Sequence, residues 1–214
     1  MLTFEYRGLD RERFLSDYQQ AWDYQRQVHA AVAAGERPGH VIQLEHTPVY
    51  TAGRRTLDAE RPFDGTPVVD VDRGGKITYH GPGQITGYPI IRLPDKVGVV
   101  DYVRRVEAAV IDLLAGYGLE GIRIADRTGV WFPADGERPE RKICAIGVRV
   151  ARRTTMHGYA LNVTPNVERF GNIVPCGIDD AGVTSIAEEL PGDWDLVSVA
   201  HDLEPHLRAH LWNH

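Results

Sequence analysis

Residues 142–163 read KICAIGVRVARRTTMHGYALNV. Two runs rich in apolar and β-branched residues, KICAIGVRV and MHGYALNV, flank the polar ARRTT, a pattern of strands and a turn rather than of a helix. Comparable short runs recur along the chain: HVIQLEH (40–46), PVVDVD (67–72), KITYHG (76–81), ITGYPIIRL (85–93), GIRIAD (121–126) and GVWF (129–132), separated by Gly, Pro and Asp. Helical spacing appears in three places. Phe14, Tyr18, Trp22, Val28 and Val32 predict an amphipathic helix over 10–34, stopped by Gly35. Val103, Val106, Val110, Leu113, Leu114 and Tyr117 share one face of a second helix over 100–117, with Asp101 near its start and Gly118 after it. A third runs from Leu196 to Leu211, with Pro205 expected to start or kink a segment within it. Strands outnumber helices and do not alternate with them one for one. The expected class is therefore α/β of the α+β kind, a mixed β-sheet flanked by helices rather than a doubly wound parallel sheet.

The chain has 214 residues, 43% hydrophobic and 25% charged, which fits one globular domain over 1–214. No run approaches the ~18 consecutive apolar residues of a membrane helix, and the opening MLTFEYRGLDRERF carries charges where a signal peptide needs an apolar core. The expectation is a soluble cytoplasmic protein with no membrane partner. The net charge of −6 argues against nucleic acid as partner. One local exception stands out: Arg138, Arg141, Lys142, Arg149, Arg152 and Arg153 against the single acid Glu140 over 138–153. This basic island is either a solvated strand-and-turn face or a docking patch for an acidic partner or anionic ligand.

The glycine-rich RGGKITYHGPGQITGYP (73–89) fits neither nucleotide fingerprint. Gly81, Gly83 and Gly87 give G-x-G-x-x-x-G, and Gly75-Lys76 precedes Ile77 where a P-loop needs Ser or Thr. Two glycine turns bracketing KITYH remain, either a plain meander or a cleft onto which Arg73, Lys76 and His80 open. His206, His210 and His214 stand four apart but lack the companions of a zinc site, so no metal is expected. His46, His80 and His157 lie at strand ends, where either a functional site or a satisfied buried hydrogen bond accounts for them.

Two cysteines, Cys144 and Cys176, give no disulfide framework. In NIVPCGI (172–178), Cys176 lies in a loop or turn between Pro175 and Gly177, either as a small apolar filler or as a working thiol. Lys142 opens an apolar strand, where desolvation disfavours its charge. Near Cys176, each of the two ionisations would favour the other.

Three blocks in order, RGGKITYHGPGQITGYPII from Arg73, KICAIGVRVARRTTMHGYALNV from Lys142 and NIVPCGI from Asn172, resemble the lipoyl(octanoyl) transferases of lipoate biosynthesis. The likeness extends from TPVYTAGRR near Thr47 to VTSI near Val183. The resemblance implies a fold like that of biotin and lipoate protein ligases and a Cys–Lys acyltransferase. Cys176 would be its acyl-accepting nucleophile and Lys142 the lysine of the K-x-x-[AS]-[IL]-G motif. It further implies that Arg73, Gly74, Gly75, Lys76, Ile77, Thr78, Tyr79, His80, Ala145, Ile146, Gly147, Gly158, Tyr159 and Ala160 bind substrate. They would line an apolar slot and offer backbone donors to the acyl carbonyl. The implied donor is octanoyl-acyl carrier protein. The implied acceptors are lysines of lipoyl domains in 2-oxoacid dehydrogenases and of the glycine cleavage H protein, with neither ATP nor metal as cofactor. Strand alternation puts Cys144 on the same side as Lys142, as a silent core thiol or a peroxide-sensitive neighbour of Cys176. Competing readings are an ATP-dependent lipoate or biotin ligase, which needs an adenylate-forming loop and no cysteine, a non-catalytic lipoyl-domain binder, and a Cys–His thiol hydrolase.

Overall fold

The computed structural model describes residues 2–9, 13–62, 65–173 and 181–212. Its strands are β1 (Leu2–Arg7), β2 (Gly39–Leu44), β3 (Val49–Ala52), β4 (Val68–Asp70), β5 (Thr78–His80), β6 (Gln84–Ile90), β7 (Ile122–Ile124), β8 (Arg127–Phe132), β9 (Arg141–Ala151), β10 (Thr154–Asn162) and β11 (Gly182–Val183). The α-helices are α1 (Tyr18–Ala34), α2 (Val99–Gly116), the single turn α3 (Ile186–Glu189) and α4 (Leu196–Trp212). An eight-stranded sheet runs β1-β2-β6-β10-β9-β8-β7, with β11 on β9, and a three-stranded sheet runs β4-β3-β5. The large sheet is mixed, as the sequence predicts: β1–β2 and β9–β11 are parallel and the remaining pairs antiparallel.

The two faces of the large sheet are covered differently. On one, α2 and α4 bury Val106, Val110, Leu113, Leu203, Leu207 and Leu211 against Val41, Ile85, Val130, Ile143, Cys144, Tyr159 and Leu161. On the other, α1 packs Ala21, Val28 and Val32 on Ile42, Leu44, Tyr88 and Ile90. The small sheet lies on that side too: Val49 and Val71 pack with Tyr18, Trp22 and Met156. No described helix is long and apolar enough to cross a membrane.

Several elements depart from the sequence reading. The first helix begins at Tyr18, not at residue 10. Asp17 caps it by accepting from the Gln20 amide, while the Ser16 amide donates to the Glu45 carbonyl and holds the preceding residues extended. β1, outside the runs picked out above, alternates Leu2, Phe4 and Tyr6 with Thr3, Glu5 and Arg7 and pairs parallel with β2. Pro205 lies inside a continuous α4, where Leu203, Leu207 and Leu211 are all buried and this packing offsets the backbone bond that proline cannot make.

The largest correction concerns β9. Val130 pairs with Cys144 but Trp131 pairs with Lys142, so two steps on β9 face one on β8, which is a β-bulge around Ile143. A bulge inverts the side-chain parity beyond it. Ile143 and Cys144 both enter the core under α2, while Lys142 turns to the opposite face beside Trp131, so Cys144 and Lys142 do not share a side. Gly129 permits the bulge. Its φ is +120°, and a Cβ there would meet the Cys144 carbonyl oxygen at 2.4 Å. Its amide donates to the fully buried Glu107 carboxylate at 3.0 Å, which also accepts from Arg104 and Arg123 at 2.7 and 3.0 Å.

Candidate active site

On the α1 face, the inner strands line a small, mostly apolar cavity of about 50 Å³. Its walls are built from small residues. Ala145 and Gly147 of β9 pair with Ala160 and Gly158 of β10, so two adjacent strands expose almost no side chain toward the space between them and α1. Of the residues the resemblance nominates, Arg73, Gly75, Lys76, Thr78, His80, Ala145, Ile146, Gly147, Gly158, Tyr159 and Ala160 line this cavity. Gly74, Ile77 and Tyr79 do not. Alternation along β5 sends Thr78 and His80 inward, while Ile77 and Tyr79 pack with Tyr50, Phe170 and Ile173, and Gly74 lines a neighbouring groove.

Arg73 shapes the cavity rim rather than presenting a free charge. Its guanidinium donates to the carbonyls of Gly74, Lys76 and Thr51 at 3.0, 2.8 and 2.8 Å and to Thr51 Oγ1 at 2.9 Å, tying the glycine turn to β3. Gly53 and Gly147 give it room: a Cβ at either would stand 2.7 Å from Arg73 Nη1 or 2.9 Å from its Cδ. Lys76 is ion-paired with Glu60.

Tyr18, Thr86, Tyr88 and His157 also line the cavity, and sequence reasoning did not assign them to it. The strand-end position of His157 was the available signal. Of the three histidines singled out by sequence, His80 and His157 line the cavity and His46 lies behind it, its ring 5.8 Å from that of His80, and each has a hydrogen-bond partner. His46 bridges the Ser16 carbonyl at 3.0 Å and the Tyr88 hydroxyl at 2.6 Å. His80 lies between Thr51 Oγ1 and Gln84 Oε1 at 3.2 and 2.7 Å, and His157 Nε2 is 2.7 Å from Asp72. Burial lowers all three, His46 to about 4 and His80 to about 3, so they are neutral at pH 7. Burial also pushes the Tyr18 hydroxyl up to about 12.

Lys142 is 8% exposed, with its ammonium 4.5 Å from the centre of the Trp131 ring, a cation–π contact. It lines a second, smaller cavity of about 20 Å³ with Thr78, Gln84, Ala145, Ala160, Asn162, Phe170 and Val183. Thr78, Ala145 and Ala160 belong to the walls of both cavities, so Lys142 stands at the end of the first. A hydrogen-bonded chain fixes this end. Gln84 donates to Asn162 at 2.9 Å, Asn162 to the Thr184 carbonyl at 2.9 Å, and the Thr184 amide to the Lys142 carbonyl at 3.0 Å. Cys176 lies outside the described residues, which run to Ile173 and resume at Ala181. On the near side Asn172 donates to the Tyr50 hydroxyl at 3.4 Å, and on the far side Val183 pairs with Lys142 itself.

The basic island does not form one positive face. Arg141 forks onto Glu189 at 2.6 and 2.7 Å, Arg138 onto Asp135 at 2.8 Å, Arg149 onto Asp72, and Arg153 lies 3.3 Å from Asp95. Cys144 is fully buried, and desolvation raises its thiol far above the ordinary range, as expected of an inert core thiol. Of the C-terminal histidines, His210 pairs with Asp112 at 2.6 Å and His214 lies outside the described residues. Among the described residues, no group of three or more His, Cys, Asp or Glu could hold a metal ion.

Comparison with known proteins agrees with this architecture. An octanoyltransferase of Cutibacterium acnes is 61% identical over 190 residues, covering 88% of this chain and 70% of that protein. An octanoyltransferase of Pseudarthrobacter chlorophenolicus is 50% identical over 209 residues, covering 98% and 94%. Among solved structures, the bipartite lipoate protein ligase of Thermoplasma acidophilum superposes with a TM-score of 0.74 at 14% identity, covering 98% of this chain and 82% of that one. A lipoate-protein ligase A bound with ATP gives 0.73 at 14%, covering 98% and 84%. These two share the fold. The model of the lipoyl protein ligase A/B catalytic domain matches residues 17–208, and with the identities above it makes the chain a member of that family, among its octanoyltransferases.

Proposed function

We propose that residues 1–214 act as one octanoyltransferase domain that moves an octanoyl group from acyl carrier protein to a lysine of lipoyl domains by way of Cys176. The observation that carries this reading is the bulge in β9, which turns Lys142 out of the helical core and onto the wall shared with the apolar cavity. A cavity walled by Ala145, Gly147, Gly158 and Ala160 accepts an unbranched acyl chain, and its thioester carbon then lies at the Lys142 end.

In the first half-reaction the Cys176 thiol gives its proton to the Lys142 amine and its sulfur attacks the octanoyl carbonyl carbon. The bond from that carbon to the carrier's phosphopantetheine sulfur breaks, and the Lys142 ammonium returns the proton to the departing sulfur. In the second, the ε-amine of a lipoyl-domain lysine attacks the acyl-enzyme. The carbon–sulfur bond to Cys176 breaks, an amide forms, and the amine's proton passes through Lys142 to the sulfur. The donor is already a thioester, so neither ATP nor a metal is needed. The acceptors in this reading are 2-oxoacid dehydrogenase lipoyl domains and the glycine cleavage H protein, met in the cytoplasm.

The test is the intact mass of the protein after mixing with octanoyl-acyl carrier protein, beside Cys176→Ser and Lys142→Ala. The expected result is an added octanoyl mass, labile to hydroxylamine, absent from Cys176→Ser and discharged by a lipoyl domain. A protein that takes no label, and acts only with ATP and free octanoate, would instead be a ligase, the reading favoured by the fold it shares with lipoate-protein ligase A.

A further inference from the structure

Lys142 faces two spaces. Besides the second cavity, it lines a larger groove of about 530 Å³ that shares Gly75, Lys76, Ile146 and Gly147 with the acyl cavity. Across the groove stand Val99 and Val103 of α2, Val99 being 46% exposed. Its charges are Arg55, Lys76, Arg127 and Lys142 against the one acid Asp126, in a chain whose net charge is −6. Lys76 and Arg127 are partnered by Glu60 and Glu140, whereas Arg55 is exposed and has no acidic partner among the described residues.

We infer that this groove receives the phosphopantetheine arm of the acyl donor, with Arg55 taking its phosphodiester. The inference rests on the acyl transfer proposed above. When the acyl chain fills the small cavity with its carbonyl at the Lys142 end, whatever is attached to that carbonyl leaves past Lys142, and the larger groove that Lys142 also lines gives it room. Its mixed walls suit a slender arm of amides and methylenes, and its cations suit an anion. An acceptor lysine is itself a cation, so these charges disfavour the acceptor here.

The test compares donors. Transfer to a lipoyl domain is measured from octanoyl-acyl carrier protein and from the octanoyl thioester of N-acetylcysteamine, which lacks the phosphate, with wild type, Arg55→Glu and Arg55→Lys. The expected result is a KM for the carrier donor about tenfold higher in Arg55→Glu, an increase well beyond that for the small thioester, with Arg55→Lys restoring most of it. Equal changes for both donors, no change, or a rise confined to the KM of the lipoyl domain would overturn the assignment, the last by giving the groove to the acceptor. A wild type that forms no acyl-enzyme from either donor would refute the transfer itself, a separate outcome.

Discussion

Strand β9 is regular along β10 and bulged along β8, and the two borders serve different ends. Against β10 the register runs without interruption from Leu161↔Cys144 to Thr154↔Ala151, and it places Ala145, Gly147, Gly158 and Ala160 as a smooth wall. Against β8 the pairing slips by one residue, and that slip turns a charged side chain from the helical core to the cavity. A regular ladder makes a surface, and an irregularity in it re-aims a single side chain. Had alternation continued through Ile143, the Lys142 ammonium would lie among Val106, Val110 and Leu114, where desolvation would oppose its charge.

The sharpest way to break this contrast is to separate the group from the device that aims it. If Lys142 is the general base proposed above, a role worth about 10²–10⁴-fold in rate, Lys142→Ala should lower kcat for octanoyl transfer by that range while the melting temperature stays near wild type. Gly129→Ala keeps the lysine but puts a Cβ 2.4 Å from the Cys144 carbonyl in a backbone region that side chains avoid. It is expected to cost about 2–4 kcal/mol of stability in denaturant unfolding and to lower kcat as well. A Gly129→Ala protein as stable and as active as wild type would show that the bulge does not need that glycine.

Most of the architecture was legible from pattern. The runs 142–150 and 156–163, the apolar face of α2 and the glycine turns around residues 73–89 all lie where composition and periodicity put them, because each buries one face of a regular element. The parity of Lys142 was not legible. A bulge is settled by a partner strand, here by Gly129 and the Glu107 carboxylate that receives its amide, and neither residue is near Lys142 in sequence. The start of α1 was hidden for a similar reason, since Ser16 bonds to the end of β2 and not to its neighbours. The likeness to octanoyltransferases named cavity residues that periodicity alone does not reach, but it named Ile77 and Tyr79 with them. A contiguous block of a strand always includes residues of both faces.

Facing and behind the regular wall, two buried histidines carry a titration of their own. His46 and His80 are held neutral, with pKa lowered to about 4 and about 3 against roughly 6.5 in an unfolded chain. As pH falls, the unfolded state takes up protons first, so their contribution is complete above about pH 6.5 and is lost as pH falls toward 4. Thermal or denaturant melts should show stability dropping by roughly 2 kcal/mol per pH unit between about pH 6 and 5. Replacing His80 by Gln, whose amide can still bond Thr51, should remove one histidine's share of that slope, leaving those of His46 and His157. An unchanged slope would mean that other groups titrate in this window.

The smallest expected effect tests the far side of the bulge. Cys144 lies in the α2 core, where the inverted parity puts it, with its thiol 3.7 Å from the Ala145 carbonyl. Cys144→Ala removes one buried sulfur and should cost about 1–2 kcal/mol as a cavity, with kcat for octanoyl transfer within twofold of wild type. Mild peroxide should then leave wild type and variant with the same pattern of disulfides, because a thiol buried among Val130, Ile143 and Leu161 is not presented to the cavity. An intramolecular disulfide in the wild type that Cys144→Ala abolishes would put Cys144 on the cavity side after all. It would also restore strict alternation to the strand, and with it the parity that the bulge is here taken to invert.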